Sequence, residues 1–161
     1  MEDGTIVAVE EEPVDSSDIV LPAFVNAHTH IGDSIAKEAG EGLSLTELVA
    51  PPDGLKHRLL REASWEATVE AMRRTVQFMW VTGTAAFVDF REGGVVGVRM
   101  LKEAVADSDV EAVALARGSI EAMEEGDGYG APSARDGEFE RARRATKEAG
   151  KLFGVHAGER D

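Results

Sequence analysis

The chain has no cysteine among its 161 residues. That excludes disulfides and thiolate metal sites, and it fits a cytoplasmic protein. Any metal must then be held by histidine and carboxylate. No apolar run approaches the roughly 18 residues that cross a bilayer. The opening Met-Glu-Asp-Gly has neither the basic nor the apolar region of a signal peptide, so a soluble protein with no membrane partner is expected. Lysine is scarce, at 5 residues, and acidic residues outnumber basic ones 31 to 17, giving a formal charge of -14. A nucleic-acid partner is not expected, because a polyanion would be repelled. An acidic, lysine-poor surface suits a protein hydrated in high salt, as in a halophilic archaeon. An ordinary acidic cytosolic protein from a GC-rich genome has the same composition. There is no internal repeat, linker or low-complexity tract.

What is present is enough for one ordinary domain with a real core, since 43% of residues are hydrophobic. Thr5 to Val9 reads as a short strand, followed by an acidic turn from Glu10 to Asp18. Ile19 to Ala27 has the pattern of a strand buried on both faces and ends in His28-Thr29-His30. Ser44 and Glu47 have capping-box spacing, and Pro51-Pro52-Asp53-Gly54 forces a break. Trp65, Val69, Met72, Val76 and Met79 fall on one face of a helix from about Ser64 to Val81, with Gly83 where the chain leaves it. Further strands are expected at 84–90, 111–116 and 152–157, with helices at 95–106 and 138–149. The segment 126–137 reads as loop, with a very short strand at 129–131. Strands alternating with helices imply parallel β-α units.

Histidines at i and i+2 on a strand share a side, so His28 and His30 can hold one ion. At the C-terminal mouth of a β-α barrel such side chains line an active site. Neutral imidazole suits zinc, iron or nickel, and open positions on the ion turn bound water into a nucleophile near neutral pH. Two structural histidines two residues apart are an equally common arrangement. His156 also closes an apolar strand, with Glu159 three residues on. It would supply a third imidazole, and Glu159 a carboxylate to move a proton. A buried structural histidine beside a surface glutamate is the alternative.

Asp33, in the first loop, could touch substrate or hold His30 through a hydrogen bond. His57, in the basic stretch Lys56-His57-Arg58, could reach the pocket or sit solvated at a helix start. Asp89, Arg91 and Arg117 stand at strand ends where substrate is read in such barrels, with structural salt bridges as the competing role. Trp65 and Trp80 are at helical spacing and read as packing. Lys151 precedes its strand and is a poor bridging ligand, so one metal is expected.

The stretch Val20-Leu-Pro-Ala-Phe-Val-Asn-Ala-His-Thr-His30 resembles the first barrel strand of the amidohydrolase superfamily. That pattern is an apolar segment, Pro-Gly-Phe/Leu, then Asn/Asp-x-His-x-His; Ala23 stands here where glycine is usual. His156 and Glu159 are similar to the fifth-strand motif of the cytosine deaminase and chlorohydrolase branch. Gly4-Thr-Ile-Val-Ala-Val9 is similar to the strand before the barrel, which belongs to a small β-sandwich.

The resemblance implies an α/β fold: about strands one to five of a (β/α)8 TIM barrel over residues 19–161, preceded by a β-sandwich remnant over 1–18. It implies His28, His30 and His156 as ligands of one divalent metal, zinc before iron, and Glu159 as proton shuttle. Asp33, His57, Asp89 and Arg117 are the candidates for touching a small-molecule substrate. The implied reaction is metal-dependent hydrolysis of a non-peptide C–N bond, by deamination or amide cleavage with metal-activated water. The branch also uses a histidine on strand six and an aspartate on strand eight, which this sequence does not contain. It therefore reads as the N-terminal portion of an enzyme. The alternative is a non-catalytic chain that binds metal weakly, self-associates, or needs a partner chain to complete the barrel.

Overall fold

The computed structural model of the chain describes residues 5–49 and 53–158. Five parallel strands, β1 (Phe24–Thr29), β2 (Thr84–Arg91), β3 (Glu111–Ala116), β4 (Gly128–Ala131) and β5 (Leu152–Val155), pair in sequence order. Between them lie a 3-10 turn (Ile31–Ala36) and helices α1 (Leu45–Val49), α2 (Leu55–Glu62), α3 (Trp65–Val81), α4 (Gly94–Val105), α5 (Ile120–Glu125) and α6 (Phe139–Glu148). A strand-helix-strand order with every neighbour parallel is the wall of a β/α barrel, here a curled half-barrel.

The helices form where local chemistry starts and stops them. Ser64 caps α3 by accepting from the Ala67 amide at 3.1 Å. Gly83, at φ +86°, takes the left-handed conformation that ends the helix, and its N–H reaches the Trp80 carbonyl. On α3 the apolar face is Val69, Met72 and Val76, all buried, flanked by half-buried Trp65 and Met79. It packs with Val98 and Leu101 of α4 and Phe87 of β2. The capping box of α1 is reciprocal: the Ser44 amide donates to Glu47 Oε2 at 2.8 Å, and the Glu47 amide to Ser44 Oγ at 3.3 Å.

Side-chain alternation sorts each strand into a helix-facing and a lumen-facing set. Phe87 and Asp89 of β2, Ala114 and Ala116 of β3, and Tyr129 and Ala131 of β4 are buried on the helix side. Phe90 and Leu115 point into the lumen and fill space that the lumen-facing glycines of β4 and β5 leave open. A Cβ on Gly130 would sit 2.7 Å from the Phe90 ring, and one on Gly154 would lie 2.6 Å from Leu115 Cδ1. Large residues on β2 and β3 facing glycines on β4 and β5 let the sheet curl. A flat five-stranded sheet would hold its outer strands roughly 19 Å apart at the usual spacing. Here the side chains of His28 at the end of β1 and His156 just beyond β5 touch at 3.0 Å.

Several expectations need correction. Residues 6–9 form no strand; Thr5 alone makes an isolated bridge, and Ile6, Val7 and Val9 are exposed. β1 begins at Phe24, and Ile19, Val20 and Leu21 are 82%, 93% and 64% exposed. Pro22 has no N–H for a sheet ladder, and pairing starts where the Phe24 amide meets the Gly83 carbonyl. Nor is β1 buried on both faces, because it lies at the edge of the sheet. Helix α5, capped by Ser119 on the Ala122 amide at 3.1 Å, was not expected. The Pro51-Pro52 break lies outside the described residues.

Candidate metal centre

His28 and His30 lie two residues apart, at the end of β1 and just beyond it, and therefore point to the same side. His156 stands just beyond β5, where its amide donates to the Ala131 carbonyl at 3.1 Å. Sheet curvature brings the three rings together. Their Nε2 atoms are 3.3 Å (His28–His30), 3.0 Å (His28–His156) and 3.2 Å (His30–His156) apart. Phe90 lies beneath all three, with ring centroids 4.9, 5.9 and 4.4 Å from His28, His30 and His156. Among the described residues this is the cluster of ligating groups that could hold an ion.

The donor set fits a cation. His30 Nδ1 is 3.1 Å from the Glu92 carboxylate, and His156 Nδ1 is 3.2 Å from the Ala131 carbonyl. Both partners only accept, so each Nδ1 must carry the proton and donate. In neutral rings this leaves Nε2 of His30 and His156 as bare acceptors facing each other. Two lone pairs at 3.2 Å with no proton between them are matched by a positive charge at the centre.

A shell of buried charge supports this centre. Glu92 Oε1 accepts from His30 Nδ1, from Lys56 Nζ at 2.8 Å and from Arg117 at 2.9 Å. Burial by itself pushes the Glu92 carboxyl up; the His30 hydrogen bond and the Lys56 ammonium outweigh it and hold it well below the usual carboxylate range. Lys56 also pairs with Asp33 at 2.8 Å. On the helix side, Asp89 Oδ1 accepts from the Ile31 amide at 2.6 Å and from Thr29 Oγ1 at 2.9 Å. It therefore grips the two residues that flank His30. Burial raises the Asp89 carboxyl above its ordinary value, because Arg91, at 3.6 Å, offsets the lost hydration only in part.

The structure thus joins His28, His30 and His156. Glu159 lies outside the described residues. Asp33 does not hold His30; Glu92 does, and Asp33 is tied to Lys56 instead. His57 is not drawn into the cluster: its Nε2 meets the Val49 carbonyl at 3.1 Å, while its neighbour Lys56 turns inward. Asp89 has no exposed surface and anchors the end of β1 through the Ile31 amide. Arg117 keeps 24% of its side chain exposed and pairs with Glu92. Lys151 is engaged by the carbonyls of Met123, Glu124 and Gly126, which cap the end of α5. Sequence reasoning missed Glu92, Lys56 and Phe90. The alternation of β2 was the available signal, since it places Phe90 and then Glu92 on the side that His28 and His30 face.

Comparison with known proteins agrees with this geometry. The family model described as "Amidohydrolase family" matches residues 19–161. A protein of Methanothermobacter thermautotrophicus named "Putative aminohydrolase" is 39% identical over 127 residues, covering 74% of this chain and 33% of its own length. One of Archaeoglobus fulgidus with the same name is 37% identical over 163 aligned positions, covering 96% of this chain and 47% of its own length. An uncharacterized protein of Methanocaldococcus jannaschii is 43% identical over 96 residues, covering 60% of this chain and 25% of its own. No solved structure matches the chain. The chain spans between a quarter and about half the length of these relatives. A half-barrel with three convergent imidazoles at its strand ends, matched over residues 19–161, belongs to the amidohydrolase family.

Proposed function

We propose that the chain carries the β1–β5 part of the active site of a metal-dependent hydrolase acting on a non-peptide C–N bond of a small molecule. The reaction is deamination of a ring amine or cleavage of an amide, and the name aminohydrolase borne by two relatives agrees with it. The observation that carries this reading is the meeting of three Nε2 atoms within 3.0–3.3 Å of one another. His28, His30 and His156 would hold one divalent ion, zinc before iron, which when bound supplies the Lewis acidity that activates water for attack. Phe90 closes the site from below and keeps the three rings at fixed spacing. Glu159 is the group proposed to carry a proton to the departing nitrogen. Of the candidates for reading substrate, Asp33 and Arg117 retain exposed surface near the centre. The preceding segment, 1–18, is proposed to belong to a β-sandwich.

Zinc titration of the chain against a chromophoric chelator tests the site. One saturable equivalent is expected, lost in both His28→Ala and His156→Ala. Unchanged binding in both variants would show that the site is wrongly assigned. Ammonia release from amino-substituted N-heterocycles and simple amides, assayed in a longer relative, tests the chemistry.

A second reading is favoured by the two edge strands. Phe24 of β1 and Leu152 of β5, on the two edge strands, are 59% and 57% exposed. In that reading the chain by itself is non-catalytic, retains less than one equivalent of metal through purification, and works only when a partner covers these edges. Ammonia release by the chain alone would rule it out.

A further inference from the structure

We propose that Glu92 and Lys56 are positioning residues of the metal centre: Glu92 fixes His30 in the Nδ1–H form, and Lys56 on α2 holds Glu92 in place to do so. The inference rests on the metal-site reading above, and it concerns residues that the His-x-His and His-x-x-Glu motifs do not include.

One oxygen carries the argument. Glu92 Oε1 receives three donors from three parts of the chain: His30 beyond β1, Lys56 on α2 and Arg117 beyond β3. The other oxygen, Oε2, is buried without a hydrogen-bond partner among the described residues, 3.9 Å from the Arg91 guanidinium. All of the carboxylate's hydrogen bonding is therefore directed to the side on which His30 lies. A carboxylate cannot donate, so His30 must donate from Nδ1 and present Nε2 bare to the centre. A carboxylate on the outer N–H of a ligating imidazole fixes its orientation and makes it a stronger ligand. Lys56 enters because Glu92 is only 15% exposed and needs a close countercharge. Its ammonium lies 2.8 Å from both Glu92 and Asp33, so it clamps Glu92 to the first loop. The chain of contacts runs from Asp33 through Lys56 and Glu92 to His30, and it makes the seating of α2 a determinant of metal affinity.

Two readouts on the 161-residue chain test this. The first is the tautomer of His30 in metal-free protein at pH 8.5, from long-range nitrogen-proton NMR correlations of the ring. The second is the zinc dissociation constant from chelator competition. Wild type should show His30 protonated at Nδ1. Glu92→Leu should lose that preference and bind zinc about 10- to 100-fold more weakly. Glu92→Gln, which keeps an acceptor oxygen, should recover the tautomer and part of the affinity. Lys56→Met, which keeps the apolar stem, should weaken zinc by about tenfold, and Lys56→Arg should restore most of it.

If Glu92→Leu does not fold, Lys56→Met and Glu92→Gln carry the test. The proposal is overturned if His30 in wild type is protonated at Nε2. It is equally overturned if the variants bind zinc as wild type does while His28→Ala abolishes binding, and in that case the metal reading survives. If no zinc binds to any form but the His30 tautomer still follows Glu92, the positioning role stands and the metal reading fails.

Discussion

At the scale of single residues, the centre depends on groups that never touch a ligand. Asp89 holds the Ile31 amide and the Thr29 hydroxyl, and it neighbours the buried Arg91. Asp89→Ala would strand a buried amide and a buried guanidinium, and it should cost about 3 kcal/mol in urea denaturation. Its charge acts in the opposite direction. Burial raises its folded-state pKa above the unfolded value, so the folded protein binds more protons than the unfolded chain between those two values. Stability therefore falls as pH rises from about 4, the ordinary aspartate value, through that interval. Asp89→Asn should remove this component, so that its urea midpoint gains on wild type from pH 4 to pH 7. A constant difference across that range would contradict the assignment. Glu92 has the opposite sign: its depressed pKa gives stability that is present above the ordinary glutamate value and is lost as pH falls. Phe90, 7% exposed beneath the three imidazoles, is both core and site. Phe90→Ala should cost about 3–5 kcal/mol and weaken zinc binding as well. His28→Ala, at an exposed position, should leave stability within about 0.5 kcal/mol.

At the scale of elements, helix α3 shows what a sequence can specify locally. Its cap at Ser64, its buried stripe through Val69, Met72 and Val76, and its glycine stop at Gly83 are all readable without the fold. Ser64→Ala should lower stability by about 1 kcal/mol, and Met72→Ala, at a fully buried position, by about 2–5 kcal/mol, both measurable by thermal or urea unfolding. The strands were legible to a similar degree: β3 falls at 111–116 as its apolar run predicts, and β2 extends one residue beyond expectation to Arg91. β1 was less legible, because its apolar run continues through Ile19 to Leu21, which pair with nothing among the described residues. α5 was missed because six residues between a strand and a glycine-rich loop carry too little periodicity to stand out.

At the scale of the molecule, the five-stranded sheet ends in two edges that present apolar side chains. Open strands with exposed Phe24, Val25, Leu152 and Val155 favour association. Sedimentation velocity of the chain should show species larger than a 17.2 kDa monomer. Phe24→Lys with Leu152→Lys should shift the distribution toward monomer. A wild-type chain that sediments as monomer across the accessible concentration range would argue against exposed-edge pairing.

The parallel α/β architecture, most element boundaries, and His28, His30 and His156 as candidate ligands can all be read along the chain. Those features depend on periodicity, caps and strand ends, each set within a few residues along the chain. Three things emerge only on folding: the three imidazoles meet, Glu92 rather than Asp33 holds His30, and Lys56 rather than His57 turns inward. The first outcome follows from sheet curvature, in which Phe90 and Leu115 pack over Gly130 and Gly154; the other two are set where α2 and the ends of β1 and β2 meet. That packing joins residues far apart in sequence, and no local pattern records it.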